Sequence, residues 1–400
     1  MVAVAGRKFL TKILMLDEGG EKMKDKKVAI FFTFVIGFTA LGLSPGAAQE
    51  AIKIGSVECL TGPGSLFGLT SKQGLMMGLE DVNATGGVNG KKLEMIQYDS
   101  QTKPPIAVTV AQRLILEDKV VLISGSAASL DVLATMEVTE RSNVPQLIFA
   151  AVSPLITEKG YKWVWRVNLT DKVTAQMLGK YINGKSHWKR IALLYENTDY
   201  GKPPSEVLAG IVKESKGKEL VATEIFSRGD TDISGQLTKI KSQNPDLVVT
   251  WSYYTEAALI ARQAQQIGLK AQLLGNQALG FPEYIQLAGP AAEGVMLIIS
   301  TSSSINPNPK IQAFTKRYEE KFHRSPYINS VDCYDGAMMI SEILKKVGTD
   351  PKKIQNALNT MTFQGLAEGI KFDGKGQGVK GALIAKVEGN KFKFMEYIQP

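Results

Sequence analysis

The chain has 400 residues, of which 44% are hydrophobic and 22% charged, an ordinary globular composition with room for two domains. Without residues 1–48, which hold seven basic and four acidic side chains, 40 basic and 35 acidic ones remain, an interspersed net +5 that excludes an electrostatic nucleic-acid surface. Two cysteines, Cys59 and Cys333, exclude a disulfide framework but leave open one bridge or two buried thiols; two isolated histidines, His187 and His323, form no metal-ligand cluster.

Residues 1–48 read as a secretory leader. The basic stretch KMKDKK precedes VAIFFTFVIGFTALGL, an uncharged run too short to span a bilayer. SPGAAQE then supplies small residues, Gly46 and Ala48, for cleavage after Ala48. Asp17, Glu18 and Glu21 are foreign to a basic leader, and a translation start at Met23 would remove them. No cysteine lies near the cleavage site, which argues against a lipid anchor.

From residue 52, apolar runs alternate with helical patterns. IKIGSV is a strand, and residues 70–83 form a helix with Leu75, Met76, Leu79 and Val82 on one face. KLEMIQYD is a strand, residues 105–117 a helix, and VVLISG and VPQLIFAA are strands around a helix near 130–141. WVWRVN closes this series. The rhythm restarts with RIALLYE, ELVATEIF, DLVVTW, AQLLG and GVMLIIS as strands, among helices near 172–183, 203–216, 232–243, 255–268 and 281–288. Such repetition specifies parallel sheets covered by helices on both faces, and two series specify two α/β lobes. Beyond residue 300 come helices near 309–323, 332–347 and 351–360, the glycine-rich FDGKGQGVKG, and an antiparallel pair, ALIAKV and FKFMEYI.

The loop TGPGSLFG after the first strand has the composition of a dinucleotide loop but not its spacing. Gly62, Gly64 and Gly68 are one residue too far apart, Cys59, Leu60 and Thr61 separate them from the strand, and Pro63 lacks an N–H for a phosphate. The loop instead offers Phe67 either to a ligand or to the core, just before a helix start with capping-box spacing from Thr70 to Gln73. GSAASLD joins a strand to a helix, and Ser129 at the cap would place its hydroxyl beside free N–H groups that suit a carboxylate, or would simply finish the helix. Tyr200 and Tyr253 follow apolar strands and so point to a crevice; Trp251 and Tyr254 belong to the pocket or to its packing.

These segments, together with NATGGVNGKKLE and YDGAMM, resemble the periplasmic leucine/isoleucine/valine-type solute-binding proteins of ABC transporters, from about residue 52 onward. The resemblance implies a type I periplasmic binding protein fold: two Rossmann-like lobes with parallel sheets, joined by three crossovers near residues 168, 300 and 375, closing on a ligand like a flytrap. The implied lobes are 51–168 plus 301–375 and 169–300 plus 376–400. It implies that Ser129, Ala150 and Val152 hold the ligand carboxylate, that Phe67, Tyr200 and Tyr253 wall the ligand, and that Gln277 stands where amino-acid binders carry an acid for the α-ammonium. Val152 replaces a threonine, so a hydroxyl is absent unless Ser153 takes over by a one-residue shift. Gln277 carries no charge; Glu58 or Asp332 are the nearest substitutes should the ligand bear an ammonium.

The expectation is a monomeric, secreted, non-enzymatic protein. It needs no cofactor, takes a small carboxylate such as a branched-chain amino acid in the periplasm, and hands it to a membrane permease. No acid–base pair or activated nucleophile argues for catalysis. A carboxylic acid without the amino group, or a sensor role at a receptor, are the alternatives.

Overall fold

The computed structural model describes residues 50–198 and 200–399; the expected leader and its cleavage site lie outside them. The first series gives β1 (Ile52–Glu58), α1 (Ser65–Ala84), β2 (Leu93–Asp99), α2 (Pro104–Leu116), β3 (Ile123–Gly125), α3 (Ser129–Ser142), β4 (Gln146–Ile148), the short α4 (Leu155–Glu158) and β5 (Val164–Arg166). Its five strands pair in parallel in the order β2-β1-β3-β4-β5. The chain then builds α5 (Asp171–Asn183), β6 (Arg190–Glu196), α6 (Lys202–Glu214), β7 (Glu219–Phe226), α7 (Ser234–Ser242), β8 (Leu247–Trp251), α8 (Tyr254–Gln266), β9 (Gln272–Gly275), α9 (Pro282–Ala288) and β10 (Met296–Ser300).

It next returns to the first lobe for α10 (Pro309–Phe322), α11 (Ile328–Val347), α12 (Pro351–Thr360) and a small antiparallel sheet of β11 (Phe363–Gln364), β12 (Gly369–Phe372) and β13 (Gly378–Val379). Finally β14 (Ala382–Glu388) joins β10 antiparallel and β15 (Lys391–Ile398) joins β14, completing a second sheet in the order β15-β14-β10-β9-β8-β6-β7. The chain thus passes three times between two Rossmann-like lobes.

The strands lie where apolar runs predict them because central parallel strands are covered on both faces. Every residue of β8 and β10 is buried, whereas the edge strand β7 is largely exposed or half-buried. In the first lobe α1 packs against α11, sharing a core of Leu75, Leu79, Cys333, Ala337 and Ile340. The helices approach so closely that a Cβ on Gly74 would stand 2.0 Å from the Ser330 carbonyl, which makes that glycine obligatory. Both cysteines are buried free thiols; Cys59 donates to the Gly64 carbonyl at 3.2 Å, and burial pushes its thiol up to about 12.

The crossovers are clasped by two buried cations. Arg166, fully buried, donates to Gln377 Oε1 at 2.8 Å and 2.6 Å, and Gln377 Nε2 donates to the Asn168 carbonyl at 2.8 Å, which ties the first crossover to the third. Gly376 has φ +78, and a Cβ there would meet the Val164 carbonyl at 2.4 Å, so the two segments touch backbone to backbone. Lys380, 2% exposed, pairs with Asp332 of α11 and with Ser302 of the second crossover.

Candidate functional site

In both sheets the strand order reverses beside β1 or β6, and loops at the carboxyl ends of strands flanking such a switch open into a crevice. The first-lobe half of the site follows β3 and β4. Ser126 accepts the Ala128 N–H at 3.1 Å, and Glu58, buried at the end of β1, accepts the Ala127 N–H at 3.1 Å. Glu58 therefore supports this turn from beneath, and desolvation raises its pKa well above the usual carboxylate range.

This corrects the expected cap. The helix α3 is capped from Ala128 without a side-chain bond, and Ser129 is its first helical residue. Freed from capping, the Ser129 hydroxyl accepts the Ser153 N–H at 3.3 Å, which brings it to the loop after β4. Ser153, not Val152, makes this contact. The Ala150 carbonyl accepts from Asn168 at 3.2 Å, and the Ser153 carbonyl accepts from Arg166, so the loop is fastened to the first crossover. Ser129, Ala150 and Val152 thus gather at one place, at the N-terminal end of a 14-residue helix where a carboxylate is favoured.

On the second lobe Tyr200 and Tyr253 follow β6 and β8, and their rings stack 4.7 Å apart at 24°. The Arg228 guanidinium lies 4.5 Å over the Tyr253 ring and bonds the buried Glu196 at 2.6 Å. Asn276 and Gln277 follow β9. The Gln277 side-chain oxygen is buried without a hydrogen-bond partner among the described residues, and its backbone carbonyl accepts from the Tyr327 hydroxyl at 3.2 Å.

Phe67 is placed differently from the expectation. α1 begins at Ser65, so Phe67 lies in the first helical turn rather than on a loop, and Thr70 bonds back to the Phe67 carbonyl instead of capping. The helix starts early because Thr102 of the next loop receives the Gly64 N–H at 3.2 Å. The Phe67 ring meets Phe281 edge-on at 5.4 Å and Tyr327 at 6.0 Å, while Phe281 and Tyr327 stack at 3.7 Å. Phe67 and Tyr327 come from the first lobe and Phe281 from the second, so this cluster bridges the two.

Asp171 escaped the sequence reading. It follows the capping residue Thr170, whose hydroxyl accepts the Val173 N–H at 3.0 Å. An acid in a first turn is an ordinary helix feature, and nothing in TDKV marks it otherwise. In the structure it is 5% exposed and its Oδ1 has no partner among the described residues. Burial pushes its carboxyl up to about 7, against the pull of the Arg166 guanidinium. Tyr200 and Tyr327 are both raised, first by burial and next by the Asp171 charge, so that carboxyl acts electrostatically on both tyrosines. Asp332 already has Lys380 as its counter-charge, with only its Oδ2 lacking a partner among the described residues, and Glu58 is taken up by the Ala127 turn.

The family model for periplasmic binding proteins matches residues 51–391. The chain belongs to that family. Among relatives of this periplasmic binding protein, the leucine-, isoleucine-, valine-, threonine-, and alanine-binding protein of Pseudomonas aeruginosa is 29% identical over 343 residues, covering 86% of this chain and 90% of the other. A branched-chain amino acid transporter substrate binding protein of Streptococcus pneumoniae, solved with isoleucine, superposes with TM-score 0.77 at 26% identity, over 88% of this chain and 100% of that one. A leucine binding protein of Thermotoga maritima gives TM-score 0.75 at 28% identity, over 88% and 99%. The type I fold, with its two lobes and three crossovers, is the architecture of this binding protein.

With a carboxylate at the Ser129 turn, Ser129→Ala should weaken binding by about 1.5–3 kcal/mol, the range for hydrogen bonds to a charged group. Calorimetry with L-leucine and its amide checks this: the amide should bind far worse than the acid to wild type, and equal affinities would remove Ser129 from the role.

Proposed function

We infer that this periplasmic binding protein captures a small α-amino acid between its lobes and presents it to the permease of an ABC transporter. Lobes of 51–168 plus 301–375 and 169–300 plus 376–400 grip it from either side. Ser129, Ala150 and Val152 with the neighbouring N–H groups take the carboxylate; Tyr200 and Tyr253 close over the ligand, with Phe67 behind Tyr327. The protein leaves the cytoplasm through a leader cleaved after Ala48 and acts as a monomer without catalysis.

Asp171 carries the choice of an amino acid. A buried ammonium without a counter-charge is strongly unfavourable, and the neutral Gln277 supplies none. Asp171 is a buried carboxyl with an unused oxygen whose charge acts on Tyr200 and Tyr327, and such a group is itself costly until a cation meets it. The relatives that bind leucine, isoleucine and valine point the same way. A second reading, a carboxylic acid without the amino group, rests on the neutrality of Gln277, whose side-chain oxygen can still accept one hydrogen bond.

The two readings differ in their pH dependence. An ammonium needs Asp171 ionised, and in the free protein that carboxyl sits at about 7. Affinity for L-leucine should hold steady above that pH and fall as pH drops below it, by up to about tenfold per unit. Affinity for 4-methylpentanoate, the deaminated analogue, should show no such fall. Calorimetry of both ligands from pH 5 to 8 is the test; a tight 4-methylpentanoate complex with no leucine binding sinks the amino-acid reading.

A further inference from the structure

We propose that Asn276 is the positioning residue of the aromatic half-site, fixing the Tyr200 ring and joining it to the contact between the lobes. The inference rests on the reading of Tyr200 as a ligand-facing residue. Asn276 directly follows β9 and is fully buried. With its amide oxygen toward the tyrosine, it accepts from the Tyr200 hydroxyl at 2.6 Å and from Trp251 Nε1 at 3.3 Å, while its nitrogen donates to the Ser252 carbonyl at 3.0 Å. One side chain therefore joins the loop after β6 and the end of β8 to the segment that follows β9.

The chemistry of those partners selects an amide. Two donors and one acceptor converge there, and asparagine offers both polarities at the right length. An aspartate would set a second acceptor against the Ser252 carbonyl, and an aliphatic side chain would leave three buried polar groups unpaired. A tyrosine held only by stacking keeps rotational freedom; a tyrosine also held at its hydroxyl does not. Because Tyr253 stacks on Tyr200 at 4.7 Å, the same bond sets the angle of both rings.

The next residue extends the connection. The Gln277 carbonyl accepts from Tyr327, and Tyr327 heads α11 in the first lobe. A shift of Tyr200 caused by ligand thus reaches, through a single peptide unit, the hydrogen bond that spans the lobes. No charge or motif marks Asn276; its role follows from the three partners that meet it.

The test compares wild type, Asn276→Ala, Tyr200→Phe and the double variant, each labelled with 3-fluorotyrosine, with L-leucine as the probe. The Tyr200 fluorine signal is identified by its loss in Tyr200→Phe. Asn276→Ala should shift and broaden that signal without any ligand. Each single variant should bind L-leucine about tenfold more weakly, and the double variant no more weakly than the poorer single, since both remove one interaction. An unchanged Tyr200 signal in Asn276→Ala, or fully additive losses, overturns the proposal. Should Asn276→Ala not fold, Tyr200→Phe breaks the same bond from the other side, and wild-type affinity in that variant overturns it equally. If wild type does not bind L-leucine, the amino-acid reading fails, and the ligand-free fluorine comparison decides the role of Asn276 alone.

Discussion

Lys380→Met should cost about 3–5 kcal/mol of stability, the scale for removing one partner from a buried ion pair. The side chains of Lys380 and Asp332 are 1% and 0% exposed, and Asp332 Oδ2 already lacks a partner among the described residues. Methionine fills the space of the lysine stem but leaves the Asp332 charge buried and unanswered. Burial by itself would depress the lysine, yet Asp332 outweighs it and the group is raised. The sign follows: its contribution is complete below the ordinary lysine range and is lost only as pH climbs through the raised value. The measurement is denaturant unfolding of Lys380→Met against the double variant Lys380→Met/Asp332→Leu. The double variant should regain most of the loss, because two apolar groups of similar volume replace a pair with little net gain. A double variant as unstable as the single would mean that the lysine acts through packing instead.

Asp171→Asn should move stability and binding in opposite directions. A carboxyl raised from its ordinary value to about 7 is held by a native state that keeps its proton more tightly than the unfolded chain does. Stability of the unliganded protein therefore declines as pH rises from about 4 toward 7, with a total penalty on the order of 2–4 kcal/mol above that. Asparagine removes the penalty. The variant should be more stable than wild type at pH 8, equal to it near pH 4, and at least a hundredfold weaker for L-leucine, whose ammonium would lie buried without a counter-charge. Thermal melts at the two pH values and calorimetry at pH 8 check both halves. Undiminished leucine affinity would take Asp171 out of the site. The gain in stability with loss of binding is the usual exchange at a functional position.

The architecture was legible because central strands are covered on both faces and so read as apolar runs; RIALLYE coincides with β6 to the residue, and the exposed edge strand ELVATEIF, which coincides with β7, was marked by the same rhythm. Helix starts were less legible where the group that satisfies the first N–H lies elsewhere in the chain. Thr102 serves Gly64 from 38 residues away, which moves the start of α1 back to Ser65. Ser126 serves the α3 turn in place of Ser129. The strands β11 and β13 hold two residues each, too few for any period to show. The site divides similarly. Ser129, Tyr200 and Tyr253 follow strand ends, which the rhythm located, whereas Ala150 and Val152 came only from the family resemblance. Asp171 and Asn276 resemble an ordinary first-turn acid and an ordinary loop amide until the three-dimensional neighbours are known.

The return of the chain to each sheet has a consequence in time. The partner of β10 is β14, so the second sheet, begun at β6, stays open along Met296–Ser300 until residues 382–388 exist. The first sheet likewise lacks the cover of α11, whose Cys333, Ala337 and Ile340 complete the packing on Leu75 and Leu79. An emerging polypeptide that has passed residue 300 therefore owns two half-built cores and no finished one. Such long-range completion delays folding. The order in which the two halves are interleaved therefore keeps both lobes unfinished until nearly the whole polypeptide has been made.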